Sequence, residues 1–432
     1  LTQIILFLTY LLIGPLAWVG YAFGMVMSRR KMRVVRLPPE PLEKAPPTVT
    51  ILIPAKDEGE RIGDCLRSAL AQDYPHFNVV AINDRSSDST GRVMDELAAA
   101  DPRMRVVHIQ PGELPRGWTG KNNALHSGMT VADGKWLLFV DSDVILSPQA
   151  LSATLGAAVN HRYHMLSLIP RLETHTCWEE MLIPLASANM AVAYTMYLTN
   201  EDWSSVAFGN GQFILMKRLA YERIGGHVAV KGQYCEDMAM ARLIKQSGLR
   251  LRMSWGTDLA AVRMYDSLEK IIRGWSRIFF AASSGSPWRS LASIGFILLC
   301  CYSVYFAGTH GIWAAAHSSR EVWPILWIGA AAIHWLLMTV QLAITFSWTR
   351  NKRRYALAFP VAGVLLLYMQ ARAVWMCISG KVEWRGTQYA HAVAPVSASP
   401  APLPPSETES GSFAPGPFTI VEPSGGSNAN QK

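Results

Sequence analysis

The stretch "LLFVDSDVIL" (137–146) places Asp141 and Asp143 at the end of a run apolar enough to be a buried strand. Two carboxylates in such a position are costly to bury unless something pairs with them. In an extended strand, residues i and i+2 share a face, so both can turn toward one site, with Ser142 turned away. A hard divalent cation, Mg²⁺ or Mn²⁺, suits carboxylate and phosphate oxygens. A polar turn leading to a helix near Ser147-Pro148 accounts for the same residues without chemistry.

Four other stretches carry charge at comparable places. "IPAKDE" (53–58) and "INDRSSD" (82–88) end two apolar runs and supply Glu58 and Asp84. "LPRGWTGKNNAL" (114–125) puts Lys121 at the start of a predicted helix, where N–H groups and an ammonium suit a phosphate. Its spacing is not that of a Walker A loop, and "FGNGQF" does not meet the dinucleotide G-x-G-x-x-G pattern. In "QYCEDMAMARLIKQSG", Glu236 and Asp237 fall in the first turn of a predicted helix. The helix dipole alone favours carboxylates there, and one of them could also take a proton from an attacking hydroxyl.

The elements that must hold these groups alternate. "TVTILIPA", "FNVVAIND", "MRVVHIQP" and "KWLLFVDSD" read as strands, and "RIGDCLRSALAQ", "TGRVMDELAAA" and "KNNALHSGMTVA" as helices. That alternation predicts an α/β domain over 48–285, with a mostly parallel sheet and helices on both faces. In such sheets ligands bind outside the carboxyl ends of the strands, which is where the acidic residues fall.

The rest of the chain looks built for a membrane. Half of its 432 residues are hydrophobic, and the mean hydropathy is +0.14. Leu1–Met27 carries no charge and is followed by Arg29, Arg30, Lys31 and Arg33. This predicts a transmembrane helix over 1–28 with a cytoplasmic domain after it, joined by a basic, proline-rich linker over 29–47. Leu291–Phe306, Val322–Trp348 and Ala356–Ile378 are three more candidate spans, making 286–380 a membrane region. Arg350, Lys352, Arg353 and Arg354 separate the last two, and Arg372 lies within the last. Four full crossings would put "WRGTQY" (384–389) on the side opposite the catalytic domain, unless one span is re-entrant or interfacial. Residues 391–432, rich in Ala, Pro, Ser and Gly, read as a disordered tail. The formal charge of +8 fits a membrane protein with basic cytoplasmic flanks, and no nucleic-acid-binding motif is present. The six cysteines have neither disulfide-framework nor zinc-site spacing.

Together, "IPAKDE", "INDRSSD", "GKNNAL" (120–125), "DSD" (141–143), "FGNGQFILMKR" (208–218) and "CED" (235–237) resemble, in order and spacing, the family 2 glycosyltransferases with the GT-A (Rossmann-like) fold. The flanking apolar segments and "GWTGK" are similar to the membrane-bound subset that includes carotenoid, hopanoid-associated and ceramide glycosyltransferases. The resemblance implies an inverting, metal-dependent enzyme of the cytoplasmic membrane that moves a sugar from a UDP-linked donor to a lipid hydroxyl. It implies Glu58 and Asp84 near the nucleoside, Asp141 on the ribose or sugar side, and Asp143 on Mg²⁺ or Mn²⁺. It further implies Lys121 as a diphosphate contact, Asp237 as general base and Glu236 as its neighbour. Many membrane relatives carry Q-x-x-R-W after the base. Here "KIIRGWSRIFF" (270–280) departs from it, leaving Arg273, Trp275 and Arg277 as candidate donor contacts. The same segment reads as an interfacial helix, with Trp275 at the headgroups and Phe279-Phe280 toward lipid. A processive polysaccharide synthase and a non-catalytic membrane scaffold are the alternatives. The mostly apolar segment 177–198 could line an acceptor entrance or be a buried helix.

Overall fold

The runs singled out as strands lie side by side in one sheet of the computed structural model, which describes residues 1–32, 34–35, 37, 39–42, 45–317, 322–384 and 387–390. The chain begins with α1 (Thr2–Ile13) and α2 (Pro15–Lys31), broken at Gly14. Pro15 has no N–H to continue the first helix and opens the second. A Cβ on Gly14 would come within 2.8 Å of the His334 ring, so the break is also a docking point. Arg29, Arg30 and Lys31 fill the last turn of α2, where the helix dipole favours cations.

The stretch expected as a linker packs closely where it is described. Met32 is buried with Met196 and Met253, Val34 bridges Trp255 in parallel, and the Pro41 carbonyl accepts from Asn160 Nδ2 at 3.0 Å. Its described residues thus lie against the α/β domain.

That domain runs β1 (Val49–Ala55), α3 (Ile62–Leu70), β2 (Phe77–Asp84), α4 (Thr90–Ala100), β3 (Met104–Ile109), α5 (Gly120–Gly128), β4 (Trp136–Val140), β5 (Val144–Leu146) and α6 (Ala150–Asn160). It continues with β6 (Met165–Leu172), α7 (Cys177–Tyr194), β7 (Phe213–Lys217), two short helices α8 (Arg218–Arg223) and α9 (Gly226–Ala229), α10 (Glu236–Gln246), β8 (Leu251–Val262) and α11 (Leu268–Ala282). The sheet order is β3-β2-β1-β4-β7-β6-β8-β5. β7 and β5 run against the other six strands, so the sheet is mixed but mostly parallel. Every residue of β1 and β4 is buried, because helices cover both faces.

One expectation about the acidic pair changes. β4 ends at Val140, and Asp141–Ser142–Asp143 is a turn closed by Val144 N–H on the Asp141 carbonyl at 3.2 Å. The shared-face argument therefore does not apply, although Ser142 is the buried member and both carboxylates are partly exposed.

α7 starts with a capping box. Thr176 Oγ1 accepts from Glu179 N–H, and Glu179 accepts from His175 N–H. Glu179 is fully buried and ion-paired with Arg263 at 3.0 Å. α11 follows β8 and is amphipathic, but its apolar face is internal. Trp275, Phe279 and Phe280 are buried among residues of α7 and the C-terminal helices. The interfacial reading had sent these rings to headgroups and lipid, but neighbouring helices cover them instead. Gly274 interrupts the expected motif because the Tyr265 ring occupies the space a Cβ would need.

The C-terminal helices are α12 (Pro287–Ile297), continued through a π-helical turn (Leu298–Tyr302) into α13 (Ser303–His317), then α14 (Trp323–Trp348) and α15 (Phe359–Ser379). A hairpin of β9 (Lys381–Trp384) and β10 (Thr387–Ala390) follows. Among the described residues, four helical stretches are long and apolar enough to cross a membrane: 2–31, 287–317, 323–348 and 353–379. The tail expected to be disordered (391–432) lies outside the described residues. All six cysteines are free.

Replacing Gly274 with Val should overpack the Tyr265 contact and cost about 1–3 kcal/mol. The expected readout is a lower Tm of the purified protein, whereas an unchanged Tm would mean the ring moves aside freely.

Candidate active site

Three segments deliver charge to one point. The Thr119 side chain caps α5 by accepting from Asn122 N–H, which sets Lys121 in the first turn. Lys121 Nζ lies 2.6 Å from Asp141 Oδ1 and 2.7 Å from Glu236 Oε1. Asp141 comes from the turn after β4, and Glu236 and Asp237 from the start of α10. Gly211 sits among them. Its N–H donates to Asp237 Oδ2 at 2.8 Å, and a Cβ there would be 3.1 Å from Lys121 Nζ and 3.2 Å from Asp237 Oδ2. Gly209 abuts the Asp237 carbonyl in the same way. The two glycines of "FGNGQF" thus make room for the acidic pair.

One ammonium faces three carboxylates. Burial works against the Lys121 charge, but Asp141, Glu236 and Asp237 outweigh it and hold the pKa well above the usual lysine value. Lys121 therefore stays charged throughout the working range. Asp237 behaves oppositely. Burial and then the neighbouring Glu236 carboxylate push it up to about 7, against Lys121 and the N–H groups of Met238 and Gly211. A carboxyl that ionises near neutrality is placed to exchange a proton.

The surroundings fix these groups. Asn122 is buried, and its Nδ2 lies within reach of the carbonyls of Val230, Lys231 and Gln233, at 2.7, 3.1 and 3.0 Å. This binds the loop before Glu236 to α5. Asp84 is buried and holds Arg85 through two bonds, of 2.7 and 3.0 Å. Both side chains press on Gly120, where a Cβ would meet each at 2.7 Å. The loop after β1 is stitched to the loop after β2: Asp57 accepts from Ser87 N–H, and Asp88 from Gly59 N–H. Glu58 belongs to that stitched loop, its N–H donating to Thr90 at 2.8 Å. Glu58, Asp141 and Asp143 all act on buried Cys65, whose thiol burial already pushes up.

Residues 46–258 match the family described as "Glycosyltransferase like family 2". Those residues are a family 2 glycosyltransferase domain. The chain is 26% identical over 249 residues to a 4,4'-diaponeurosporenoate glycosyltransferase of Staphylococcus aureus, a match covering 57% of this chain and 64% of that protein. In fold, it is similar to a mannosyltransferase from Pyrobaculum calidifontis solved with GDP-Man and Mn²⁺, at TM-score 0.52 and 17% identity, over 88% of this chain and 98% of that one. The GT-A fold expected from the motifs is the one found.

Within the glycosyltransferase domain, Lys121, Asp141 and Glu236 line a cleft of about 280 Å³, with Gly211 and His227 among its other walls. Asp237 adjoins it through Gly211. Glu58, Asp84, Asp143, Arg273, Trp275 and Arg277 are not among the described lining residues. Arg273 is exposed on α11 and pairs with Glu269, while Trp275 is buried in the helical core. Among the described residues no group of three or more His, Cys, Asp or Glu side chains converges as a metal cage. The Asp141–Asp143 turn offers two carboxylates that could hold a Mg²⁺-type ion completed by phosphate oxygens, with Asp141 already paired with Lys121. His227 was not singled out from the sequence. It is buried, bonded to the Tyr221 hydroxyl through Nδ1 at 2.8 Å, and burial pushes its pKa down to about 3. It is therefore a neutral wall of the cleft.

If Asp237 accepts a proton in the reaction, activity should rise as pH passes through about 7, where its carboxyl ionises. A kcat/KM profile flat between about pH 5.5 and 8 would remove it from that role. The sign for stability is opposite. The unfolded carboxyl ionises near its ordinary 3.8, so stability falls as pH rises from about 4 to about 7, where only the unfolded chain has lost the proton, and levels off above. Asp237→Asn should accordingly match or exceed the wild-type Tm at about pH 8.

Proposed function

We propose that this protein is a membrane-bound, metal-dependent inverting glycosyltransferase that transfers one sugar from a nucleotide donor, UDP-linked, to a hydroxyl of a lipid. The observation that carries the reading is the cluster of Lys121, Asp141 and Glu236 beside Asp237 in the cleft. Lys121 faces the donor diphosphate. Asp237 takes the proton of the acceptor hydroxyl while that oxygen attacks the anomeric carbon and the bond to the diphosphate breaks. Glu236 keeps Asp237 basic by like-charge repulsion. A Mg²⁺ or Mn²⁺ on Asp143 and Asp141, when bound, would neutralise charge on the leaving diphosphate. The Mn²⁺ reported with the Pyrobaculum mannosyltransferase is in keeping with this. Asp84 and Glu58 serve the nucleoside side indirectly, by setting the loops around Gly120 and Thr90.

The lipid acceptor is supported by a cavity of about 560 Å³ among the apolar helices, walled by residues such as Trp18, Leu185, Asn189, Cys300 and Leu366. α7 connects it with the base. Its residues Leu185, Ala188, Asn189 and Val192 face the cavity. Tyr194, at its end, packs on Phe208 with ring centroids 5.3 Å apart, next to Gly209 and its contact with Asp237. The basic ends of α2 and α14 lie on the catalytic-domain side, which fits a catalytic domain in the cytoplasm. The Staphylococcus relative is named for a carotenoid carboxylate, which shares the apolar character of the proposed acceptor but not its hydroxyl.

Asp237→Asn should lower transfer about 10²–10⁴-fold, measured as labelled sugar in extracted lipid from a panel of nucleotide sugars. Wild-type turnover in that variant would sink the assignment. Chelation should abolish transfer, Mn²⁺ should restore it, and Asp143→Ala should raise the metal concentration needed. Ala188→Trp should fill the cavity and raise KM for the lipid without changing donor binding by calorimetry. Equal lipid KM would move the acceptor elsewhere.

A further inference from the structure

We propose that α15 does not cross the bilayer but lies within the catalytic-side leaflet, so that the chain beyond it returns to the side of the catalytic domain. This rests on the membrane reading above.

The starting point is α7, which cannot cross because it joins two strands of one sheet. Both its ends are tied to the catalytic domain. Glu179, in its first turn, pairs with Arg263 just beyond β8. Tyr194, its last residue, meets Phe208 edge-on and donates to the carbonyl of Ala282, which ends α11.

α15 runs alongside it, end for end. Just before α15, Lys352 N–H donates to Glu180 Oε2 at 2.9 Å, Lys352 Nζ pairs with Glu180 Oε1 at 3.0 Å, and Asn351 Nδ2 donates to Thr174 Oγ1 at 2.7 Å. At the other end, Cys377 Sγ is 3.6 Å from Ser283 Oγ, the residue after Ala282. The lengths agree: 18 residues in α7 and 21 in α15, or about 27 and 31 Å at 1.5 Å per residue. A helix whose two ends sit beside the two ends of α7 finishes on the side where it began.

α14 behaves differently. Its start packs Trp323 on Phe7, near the beginning of the chain, and just past its other end Arg350 pairs with Asp258 of β8. One end is on the catalytic domain and the other is not. The segments 2–31, 287–317 and 323–348 are then three crossings.

Two features of α15 itself fit this placement. Val361, Val364, Tyr368, Trp375 and Ile378 form one exposed stripe along its length, a face for lipid tails. Arg372 falls three residues past the helix midpoint, under which Tyr368 offers its ring at 5.9 Å. In a full crossing that guanidinium would sit near the bilayer centre, where charge is costly. In a helix lying in one leaflet it can reach the headgroups.

The test uses the full chain with an epitope tag after Lys432, a second tag in the catalytic domain, and a third between His317 and Trp323, each in a separate preparation. Right-side-out and inverted vesicles are treated with protease. The C-terminal tag should be protected and cleaved together with the catalytic-domain tag, and opposite to the third. If the C-terminal tag instead follows the third, α15 crosses and the proposal falls. If all three tags are cleaved in both preparations, or the protein leaves the vesicles on carbonate washing, the membrane reading itself falls. Should the inserted tag prevent assembly, His317→Cys labelled with an impermeant maleimide reports the same side.

Discussion

The catalytic domain turns on one ammonium group. Lys121 bridges Asp141 and Glu236, which belong to segments almost a hundred residues apart in sequence. Without it, three carboxylates would share a small apolar pocket with no counter-charge, a state that buried charges do not tolerate. With it, the cluster keeps a surplus of negative charge; burial first, and then the Glu236 carboxylate, raise Asp237 to near neutrality while Lys121 pulls the other way. Lys121 thus stabilises the cluster and limits how far Asp237 rises.

The pairing dictates much of the local architecture. Lys121 must reach two partners, so the first turn of α5 is fixed by its Thr119 cap and by Asn122 gripping the loop ahead of Glu236. Residues that approach the cluster must be small, hence Gly120, Gly209 and Gly211. Asp84 meets this cluster from behind, through Gly120 and Arg85, and shapes the cleft without lining it.

The strands and most helices of the sheet could be read from the sequence, because continuous apolar runs and helical periodicity are local signals. β2 and α4 coincide with the stretches expected for them. The acidic and basic residues of the cluster were also legible, since charge at a strand end is conspicuous. Their mutual geometry was not. That Asp141 meets Lys121 depends on how β4 stops at Val140, which no pattern around "DSD" encodes. His227 escaped notice because a single histidine outside any motif carries no local signal. Trp275 and Phe280 were misplaced for a related reason: amphipathicity shows that one face is greasy, not whether lipid or protein covers it. The burial of Met32 and Val35 within the linker 29–47 was not legible from its composition.

The ties between the catalytic domain and the apolar helices have a further consequence. Lys31 on Glu201, Arg350 on Asp258 and Lys352 on Glu180 hold the domain at separate points around its rim. Three such ties restrain the domain relative to the apolar helices, and with it the distance from Asp237 to the apolar cavity beside α7. On the function proposed above, that distance would work as a ruler. It would favour acceptors by the separation between their hydrocarbon and the oxygen to be modified, whatever the headgroup chemistry in between.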